Sequence, residues 1–334
     1  MRKPIAIYAQ DVDINLEECC QNARYWGVNT LILSPDLFDE PELPILLNKY
    51  QLALWLNIPV FNNPSYLKEH PDKIAVSNTG NLAQQDWCQF ICPSDTAYIE
   101  HLKAQITEYL DETNPDYISL DFLRQYLYWQ DKSYDEIAPE DIEYGCFCSR
   151  CMNAFYHSDF ATSDATAEIE SREFSADFAH WRSEQIASVA KVLTDFIRQM
   201  SPNTSIALNT LPWSDKALNC ATSKYAGQNK SRLSEYFDAF CPVAFSHMLP
   251  QTADDKKQLL NELNAETQTP IYYGLQVAHW RLKKAIPAEQ FEIELKQNLA
   301  LSKQGMVIYN YTELLADAEK ATILKRHLNP EIHF

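Results

Sequence analysis

Residues 115–124 read Pro-Asp-Tyr-Ile-Ser-Leu-Asp-Phe-Leu-Arg, and the predicted architecture follows from this segment. The residues from Tyr117 to Leu120 are typical of a short buried strand, and Pro115 marks its start. The strand leads directly to Asp121, and Arg124 follows three residues later. The segment therefore predicts a buried strand that presents a carboxylate at its end, with a guanidinium close enough to orient it.

The same pattern, a short apolar segment followed by polar residues and then by a helix, occurs eight times. The predicted strands are residues 5–9, 30–33, 52–60, 117–120, 205–209, 239–245, 271–275 and 306–309. Parallel strands joined by helices are buried on both faces, and eight such units close a TIM barrel. We therefore expect a single (β/α)8 domain over residues 1–334, with long loops after strands three, four and five.

An open doubly wound sheet is the alternative fold. Such a sheet would normally carry a glycine-rich phosphate loop after its first strand. The chain has only six glycines, and none of them forms a GxGxxG or GxxxxGK pattern. The barrel is therefore the favoured fold, and a nucleotide is not an expected ligand.

The composition limits the partners. Lys and Arg number 28 against 46 Asp and Glu, which gives a net charge of −18. Nucleic acids and anionic membranes bind cationic surfaces, so neither is expected as a partner. The first residues do not form a signal-peptide core, and no run reaches the ~18 apolar residues of a membrane helix. We expect a cytoplasmic protein, or an exported one whose leader is absent from this sequence, and a homo-oligomer is possible.

Polar side chains at the expected strand ends favour carbohydrate chemistry. They are Asp11, Asp36, Asn57, Asp121, Asn209, His247, Gln276 and Tyr309. The first strand has no HxH metal motif, and no strand interior contains a lysine for a Schiff base. Carboxylates, amides and aromatic rings remain, and these are the groups of a sugar site. Glycoside cleavage uses two carboxyl groups, about 5–5.5 Å apart for retention and about 6.5–9.5 Å apart for inversion.

Three cysteines within six residues, Cys146, Cys148 and Cys151, predict a metal site. Thiolates bind zinc tetrahedrally, so a fourth ligand must come from another loop. We expect Cys92 in this place, with Cys88 as its substitute and His157 as a weaker candidate. The nine cysteines suit reduced thiols and a structural zinc better than a disulfide framework, and free thiols are the alternative.

Seven segments together resemble a known group of proteins. They are residues 91–94, 120–124, 146–155, 208–213, 226–228, 242–248 and 308–311. They are similar to the uncharacterised glycoside-hydrolase-like TIM-barrel family, and this resemblance implies a barrel related to carbohydrate metabolism. The cysteine pattern separately resembles the zinc cluster of the family 42 β-galactosidases. Those galactosidases carry an Asn-Glu acid on strand four and a Glu nucleophile on strand seven, where this chain has Leu120-Asp121 and Leu275-Gln276, so their catalytic roles are not carried over.

The favoured function is that of a glycoside hydrolase acting on an oligosaccharide or glycoside. Asp121 is the predicted principal carboxylate, kept ionised by Arg124 as base or nucleophile. Asp215 is its predicted partner and proton donor, and Asp36 is the next candidate for that place. The predicted substrate-binding residues are Asp36, Asn209, Trp213, Gln228, His247, Gln276 and Tyr309.

Two other functions remain open. The missing carboxylate on strand seven would suit a catalytically inactive carbohydrate-binding barrel. A zinc hydrolase that uses the thiol cluster is discounted, because zinc sites made only of thiolates are usually closed and structural.

Overall fold

The computed structural model describes residues 3–11, 13–38, 40–129, 132–161, 176–243, 245–250, 253–279, 285–301 and 304–329. Eight strands form its main sheet: β1 Ile5–Ala9, β2 Thr30–Leu33, β3 Ala53–Pro59, β4 Tyr117–Asp121, β5 Ser205–Thr210, β6 Ala239–Pro242, β7 Tyr273–Gln276 and β8 Met306–Tyr309. Their hydrogen-bonded order is β6-β5-β4-β3-β2-β1-β8-β7, and every neighbouring pair is parallel.

The sheet closes between β6 and β7. The Phe240 N–H donates to Pro270 O at 2.8 Å, and the Tyr272 N–H donates to Phe240 O at 2.8 Å. Closure removes the unpaired sheet edges. The predicted (β/α)8 barrel is confirmed.

Helices follow the strands and cover the outside of the barrel. They are α1 Leu16–Trp26, α2 Leu43–Tyr50, α3 Thr96–Glu112, α4 Ala176–Met200, α5 Lys230–Leu233, α6 Ala253–Ala265, α7 Ala288–Leu301 and α8 Ala318–Leu328. Side-chain oxygens of Asn15, Asp95, Asn229 and Asp317 accept amide hydrogen bonds at the starts of α1, α3, α5 and α8. No described helix is long and apolar enough to span a bilayer.

Two layers of side chains fill the inside of the barrel, an apolar layer nearer the amino-terminal ends of the strands and a polar layer nearer their carboxyl ends. Trp55 stacks on Tyr117 with ring centroids 5.2 Å apart, and Tyr272 meets Trp55 edge-on at 6.0 Å. Alanines on other strands leave room for these large rings. Because side chains alternate along a strand, the next inward residues of β3 and β4 are Asn57 and Ser119. The aromatic layer therefore closes the barrel below the polar side chains at its mouth.

A repeated pair of hydrogen bonds joins strands at the amino-terminal rim. Ile5 N–H donates to Asn29 Oδ1 at 2.9 Å, Leu54 N–H to Asp116 Oδ2 at 3.0 Å, and Ile206 N–H to Asp238 Oδ2 at 2.8 Å. Each acceptor residue also donates its own backbone N–H to the carbonyl of the same partner, at 2.8–3.0 Å. The pairs are Asn29 with Ile5, Asp116 with Leu54, and Asp238 with Ile206. We call each such pair a clasp. The clasps join β1 to β2, β3 to β4, and β5 to β6.

The long loops follow β3, β4 and β5, at the opposite rim. The β3 loop carries the helix Pro64–Glu69 and a hairpin of Gln84–Gln85 with Cys88–Gln89. The β4 loop carries a hairpin of Tyr126–Tyr128 with Glu143–Gly145, followed by the helix Ser149–Tyr156. The long connections thus all lie where barrel enzymes build their sites.

Candidate active site and metal centre

A cavity of about 310 Å³ opens at the carboxyl ends of the strands. Its polar lining is Gln10, Asp11, Asp121, Arg124, Asn209, Thr210, His247, Gln276, Asn310 and Glu313. Its aromatic lining is Tyr8, Trp87, Phe122, Trp129, Phe245 and Tyr309. This volume lies at the small end of the range for ligand pockets.

Asp121 enters the cavity from the end of β4. Strand alternation places it on the inward face with Ser119. Its Oδ1 accepts the Phe122 N–H at 2.8 Å, and its Oδ2 is 3.4 Å from Asn57 Nδ2. The Ser119 hydroxyl fixes Asn57 in turn, by donating to Asn57 Oδ1 at 2.7 Å. The carboxylate is therefore oriented by groups of its own strand and of β3.

The residue after Asp121 has an unusual backbone. Phe122 has a φ of 51°, in the left-handed region. A bulky residue rarely adopts this conformation, and such strain persists only where surrounding contacts enforce it. Here the conformation brings the Phe122 N–H to the carboxylate and the Phe122 ring to the cavity wall.

Asn209 links Asp121 to two tyrosines. Its Nδ2 donates to Tyr8 O–H at 3.1 Å and to Asn57 Oδ1 at 3.1 Å. Tyr8 stacks on Tyr309 with ring centroids 4.4 Å apart. Burial raises the pKa of both phenols, so both stay neutral and able to donate hydrogen bonds.

The electrostatics of Asp121 differ from the expectation. Burial raises the pKa of its carboxyl group and outweighs the Phe122 N–H, the Asn209 and Asn57 amides and the charge of Arg124, which all lower it. Arg124 donates to Gln125 O at 3.1 Å, and its guanidinium lies 4.8 Å from the Phe90 ring centroid. No ion pair among the described residues joins Arg124 to Asp121. Arg124 lowers the pKa of Asp121, as expected, but burial raises it more, and the role of Arg124 in keeping Asp121 ionised stays a prediction.

Glu313 is a cavity carboxylate that is not among the predicted site residues. It follows β8 in the short helix Tyr311–Leu315, where Asn310 Oδ1 accepts the Glu313 N–H at 3.0 Å. Burial raises the pKa of Glu313, the Ala278 N–H and Lys320 lower it, and nearby Asp11 raises it. The Asn-x-x-Glu spacing directly after a strand is a helix-start signature, and it could have placed Glu313 at the barrel mouth.

The other predicted ligand-binding residues divide into two groups. Asn209, His247, Gln276 and Tyr309 line the cavity with Asp121 and Arg124. Asp36, Trp213, Asp215 and Gln228 are not among the described residues that line it.

The residues outside the cavity lining have other contacts. Asp36 is exposed and accepts the Ser34 hydroxyl at 3.0 Å. The Asp215 N–H donates to Glu266 Oε1 at 2.6 Å, on the α6 side of the barrel. Trp213 is fully buried, donates to Met248 O at 2.6 Å and packs edge-on against Trp129 at 5.0 Å. Trp213 therefore lies behind a ring that does line the cavity.

Gln228 is fully buried behind the cavity wall. Its Oε1 accepts the Leu211 N–H at 2.9 Å, and its Nε2 donates to Asn209 O at 3.0 Å and to Leu123 O at 3.3 Å. Its side chain thus joins the β4 and β5 loops, and every described bond of this amide goes to the backbone.

Four cysteines form a cluster between the β3 and β4 loops. The sulfurs of Cys92, Cys146, Cys148 and Cys151 all lie within 4.8 Å of one another. All nine cysteines lie among the described residues, and none of them forms a disulfide. Cys88 lies in the β3-loop hairpin and His157 bonds Asn153 O, and neither belongs to the cluster. The cluster could hold a metal ion, and Cys92 supplies its fourth sulfur.

The surroundings of the sulfurs fit a metal–thiolate centre. The N–H groups of Val76 and Cys148 point to Cys146 Sγ at 3.5 Å each. Arg150 bonds Cys92, and buried Arg182 interacts electrostatically with Cys146 and Cys151. A tetrathiolate site carries excess negative charge, which such donors and cations stabilise.

No protein family model matches the chain, and no curated protein matches it in sequence. Solved structures do match in fold. The PgaB (BpsB) glycoside hydrolase domain from Bordetella bronchiseptica is 12% identical with a TM-score of 0.70, over 99% of this chain and 100% of that domain. A β-galactosidase from Bacillus circulans sp. alkalophilus is 12% identical with a TM-score of 0.64, over 92% of this chain and 50% of its own.

The GH42 β-galactosidase Gan42B from G. stearothermophilus is 14% identical with a TM-score of 0.64, over 98% of this chain and 57% of its own. The chain thus spans about half the length of these galactosidases. At such low identity the likeness establishes a glycoside-hydrolase-like fold and not an activity.

Proposed function

We propose that the protein is a glycoside hydrolase whose 334 residues form one domain and whose substrate is an oligosaccharide or glycoside. The observation that carries this proposal is a single cavity at the barrel mouth, lined by Asp121, Glu313 and a wall of aromatic rings. Two carboxyl groups supply the acid and base of glycoside cleavage, and aromatic faces suit the apolar faces of sugar rings.

Asp121 is assigned as the proton donor to the leaving oxygen. Its raised pKa keeps a proton on the carboxyl group at higher pH than an ordinary aspartic acid would. Glu313 is assigned as the base that takes a proton from the attacking water. It replaces Asp215 in the proposal, because Glu313 lines the same cavity as Asp121 and Asp215 makes its described bond to Glu266.

For this pair we propose an inverting mechanism. β4 and β8 are separated by three strands on either side of the closed barrel, so Asp121 and Glu313 approach the substrate from opposite sides of the mouth. Inverting enzymes hold their carboxyl groups about 6.5–9.5 Å apart and leave room for water between them. Asn209, His247, Gln276 and Tyr309 are the proposed sugar-binding groups.

The test is cleavage of a panel of dinitrophenyl glycosides and matched alkyl glycosides, β-galactosides included. Asp121→Asn should lower kcat by about 10²–10⁴-fold on alkyl glycosides, as loss of a general acid does. It should act far less on dinitrophenyl glycosides, whose leaving group departs without a proton. Glu313→Gln should be impaired on both, and an Asp215→Asn control should stay active.

Full activity of Asp121→Asn on alkyl glycosides would contradict the proposal. Glycan binding by the parent without any cleavage would favour a carbohydrate-binding barrel, a function that the neutral Gln276 at the end of β7 allows.

We also propose that Cys92, Cys146, Cys148 and Cys151 hold a structural zinc. Zinc–sulfur bonds of about 2.3 Å set tetrahedral sulfurs about 3.8 Å apart, and the Cys92–Cys148 and Cys92–Cys151 sulfurs are 3.3 and 3.4 Å apart. The ion would join the β3 and β4 loops. Elemental analysis of protein purified without chelator should find about one zinc per chain, and a metal-free preparation would refute the assignment.

A further inference from the structure

The turn that follows Asp121 is held from behind by a buried glutamine. Gln125 has no exposed surface, and its N–H donates to Ala226 O at 2.8 Å. Its own carbonyl accepts the Arg124 guanidinium at 3.1 Å. The backbone of Gln125 thus anchors Arg124 on one side and the β5 loop on the other.

The side chain of Gln125 points to the cysteine cluster. Its Oε1 accepts the Cys146 N–H at 2.9 Å, and its Nε2 donates to Gln185 Oε1 at 2.8 Å. Gln185 Nε2 donates to Ser94 Oγ at 2.6 Å, and Ser94 Oγ is 3.2 Å from Cys151 Sγ. A continuous path of hydrogen bonds therefore runs from two of the clustered cysteines to the turn beside Asp121.

This support lies next to a strained backbone. Phe122 keeps its φ of 51° only while neighbouring contacts enforce it. Gln228 holds Leu123 O, and Gln125 fixes the next residues. Losing one of these buried amides would let the turn relax, and the Phe122 N–H would leave the Asp121 carboxylate.

We propose that Gln125 is a positioning residue, which holds the turn from Asp121 to Arg124 and couples it to the cysteine cluster through Gln185 and Ser94. The role in catalysis rests on the proposed function. The coupling itself is a property of the fold and can be measured without a substrate.

The test uses the full chain labelled with 5-fluorotryptophan and observed by ¹⁹F NMR. The Trp87 ring lies 6.1 Å from the Phe122 ring and reports on the turn, and Trp87→Phe assigns its resonance. Gln125→Met should shift the Trp87 resonance by more than its linewidth. Trp26, which packs on Tyr311, should not move.

Thr204→Val is the matched control. The Thr204 hydroxyl is also buried and donates to Pro115 O at 2.7 Å, at the opposite end of β4. Thr204→Val therefore loses a buried hydrogen bond and some stability, and the Trp87 resonance should keep its position. A merely structural role for Gln125 would make both variants alike.

Chelation completes the test. Removing zinc from the parent should shift the Trp87 resonance. In Gln125→Met the same removal should shift it less, because only the opening of the β3 loop itself is then left to move the ring. Gln185→Met breaks the path on the outer helix and serves if Gln125→Met does not fold. An unmoved Trp87 resonance in the folded variants and after zinc removal would overturn the proposal, whether or not any glycoside is cleaved.

Discussion

At the scale of single residues, Asp121 is the best-defined group of the site. Burial raises its pKa, while two side-chain amides, one backbone N–H and Arg124 oppose that rise. An acid that is desolvated yet surrounded by donors is poised to exchange a proton. The pH dependence of cleavage should therefore respond to each of these neighbours.

Arg124→Met should move the alkaline limb of the kcat/KM profile to higher pH. Arg124 lowers the pKa of Asp121, so its removal raises that pKa further. A proton donor loses activity as pH rises through its pKa, and a higher pKa postpones the loss. The measurement is kcat/KM against pH. Lys103→Met on α3 is the charge-matched control, because Lys103 is not among the described residues that line the cavity. A downward shift would contradict the role of Asp121 as the acid.

Asp121→Asn should raise the melting temperature at pH 7. A carboxyl group whose folded pKa is raised binds more protons in the folded state than in the unfolded state, so stability falls as pH rises through that range. Asparagine removes this loss, and its advantage should vanish below about pH 4, the ordinary range of the aspartate pKa. Asp36→Asn, which changes an exposed charge, should show no such effect.

The sequence placed side chains at the cavity reliably where they end strands and less reliably in loops, where Arg124 and His247 line the cavity and Trp213 and Asp215 are not among its described lining residues. Asn209, Gln276 and Tyr309 end strands on the inward face, and alternation fixes that direction. Trp213 and Asp215 lie beyond β5, where contacts to Met248 and Glu266 decide the path of the loop. Those contacts join segments more than 30 residues apart, which no local pattern encodes.

At the scale of elements, the β3 and β4 loops depend on one another. The cysteine cluster joins them, and Gly145 packs so closely on Val76 that an added Cβ would lie 2.5 Å from the Val76 carbonyl oxygen. The CxCxxC spacing indicated this junction in advance. The sequence did not indicate the hairpin that Gly145 ends, since Tyr126 and Gly145 come together only across a loop.

Zinc removal should open these loops and leave the barrel intact. We expect limited proteolysis to cut within residues 60–95 and 122–161 after chelation, while the far-UV circular dichroism changes little. Cys148→Ser should reproduce the cuts. Cys88→Ser, a buried thiol of the same region outside the cluster, should resist like the parent. Equal resistance of all forms would show that the loops fold without the metal.

At the scale of the whole molecule, the barrel was predictable because its signals are local. Eight apolar segments alternate with helices, and closure then follows from the strand count. Most strand ends agree with the prediction within two residues; strand six is shorter, at Ala239–Pro242. The net charge of −18 did not help to predict the fold, because net charge bears on solubility and association rather than on architecture.

Because of the clasps at the amino-terminal rim, neighbouring strands are not all joined by the same number of hydrogen bonds. Asn29 and Asp116 each bond the preceding strand through both side chain and backbone. They bond the following strand through their carbonyls alone, which accept the N–H groups of Ala53 and Ser205 at 2.9 and 3.0 Å. In native-state hydrogen exchange, Ile5 and Leu54 should therefore be better protected than Ala53 and Ser205. The barrel would then open first between β2 and β3 and between β4 and β5, while the three clasped pairs of strands stay joined.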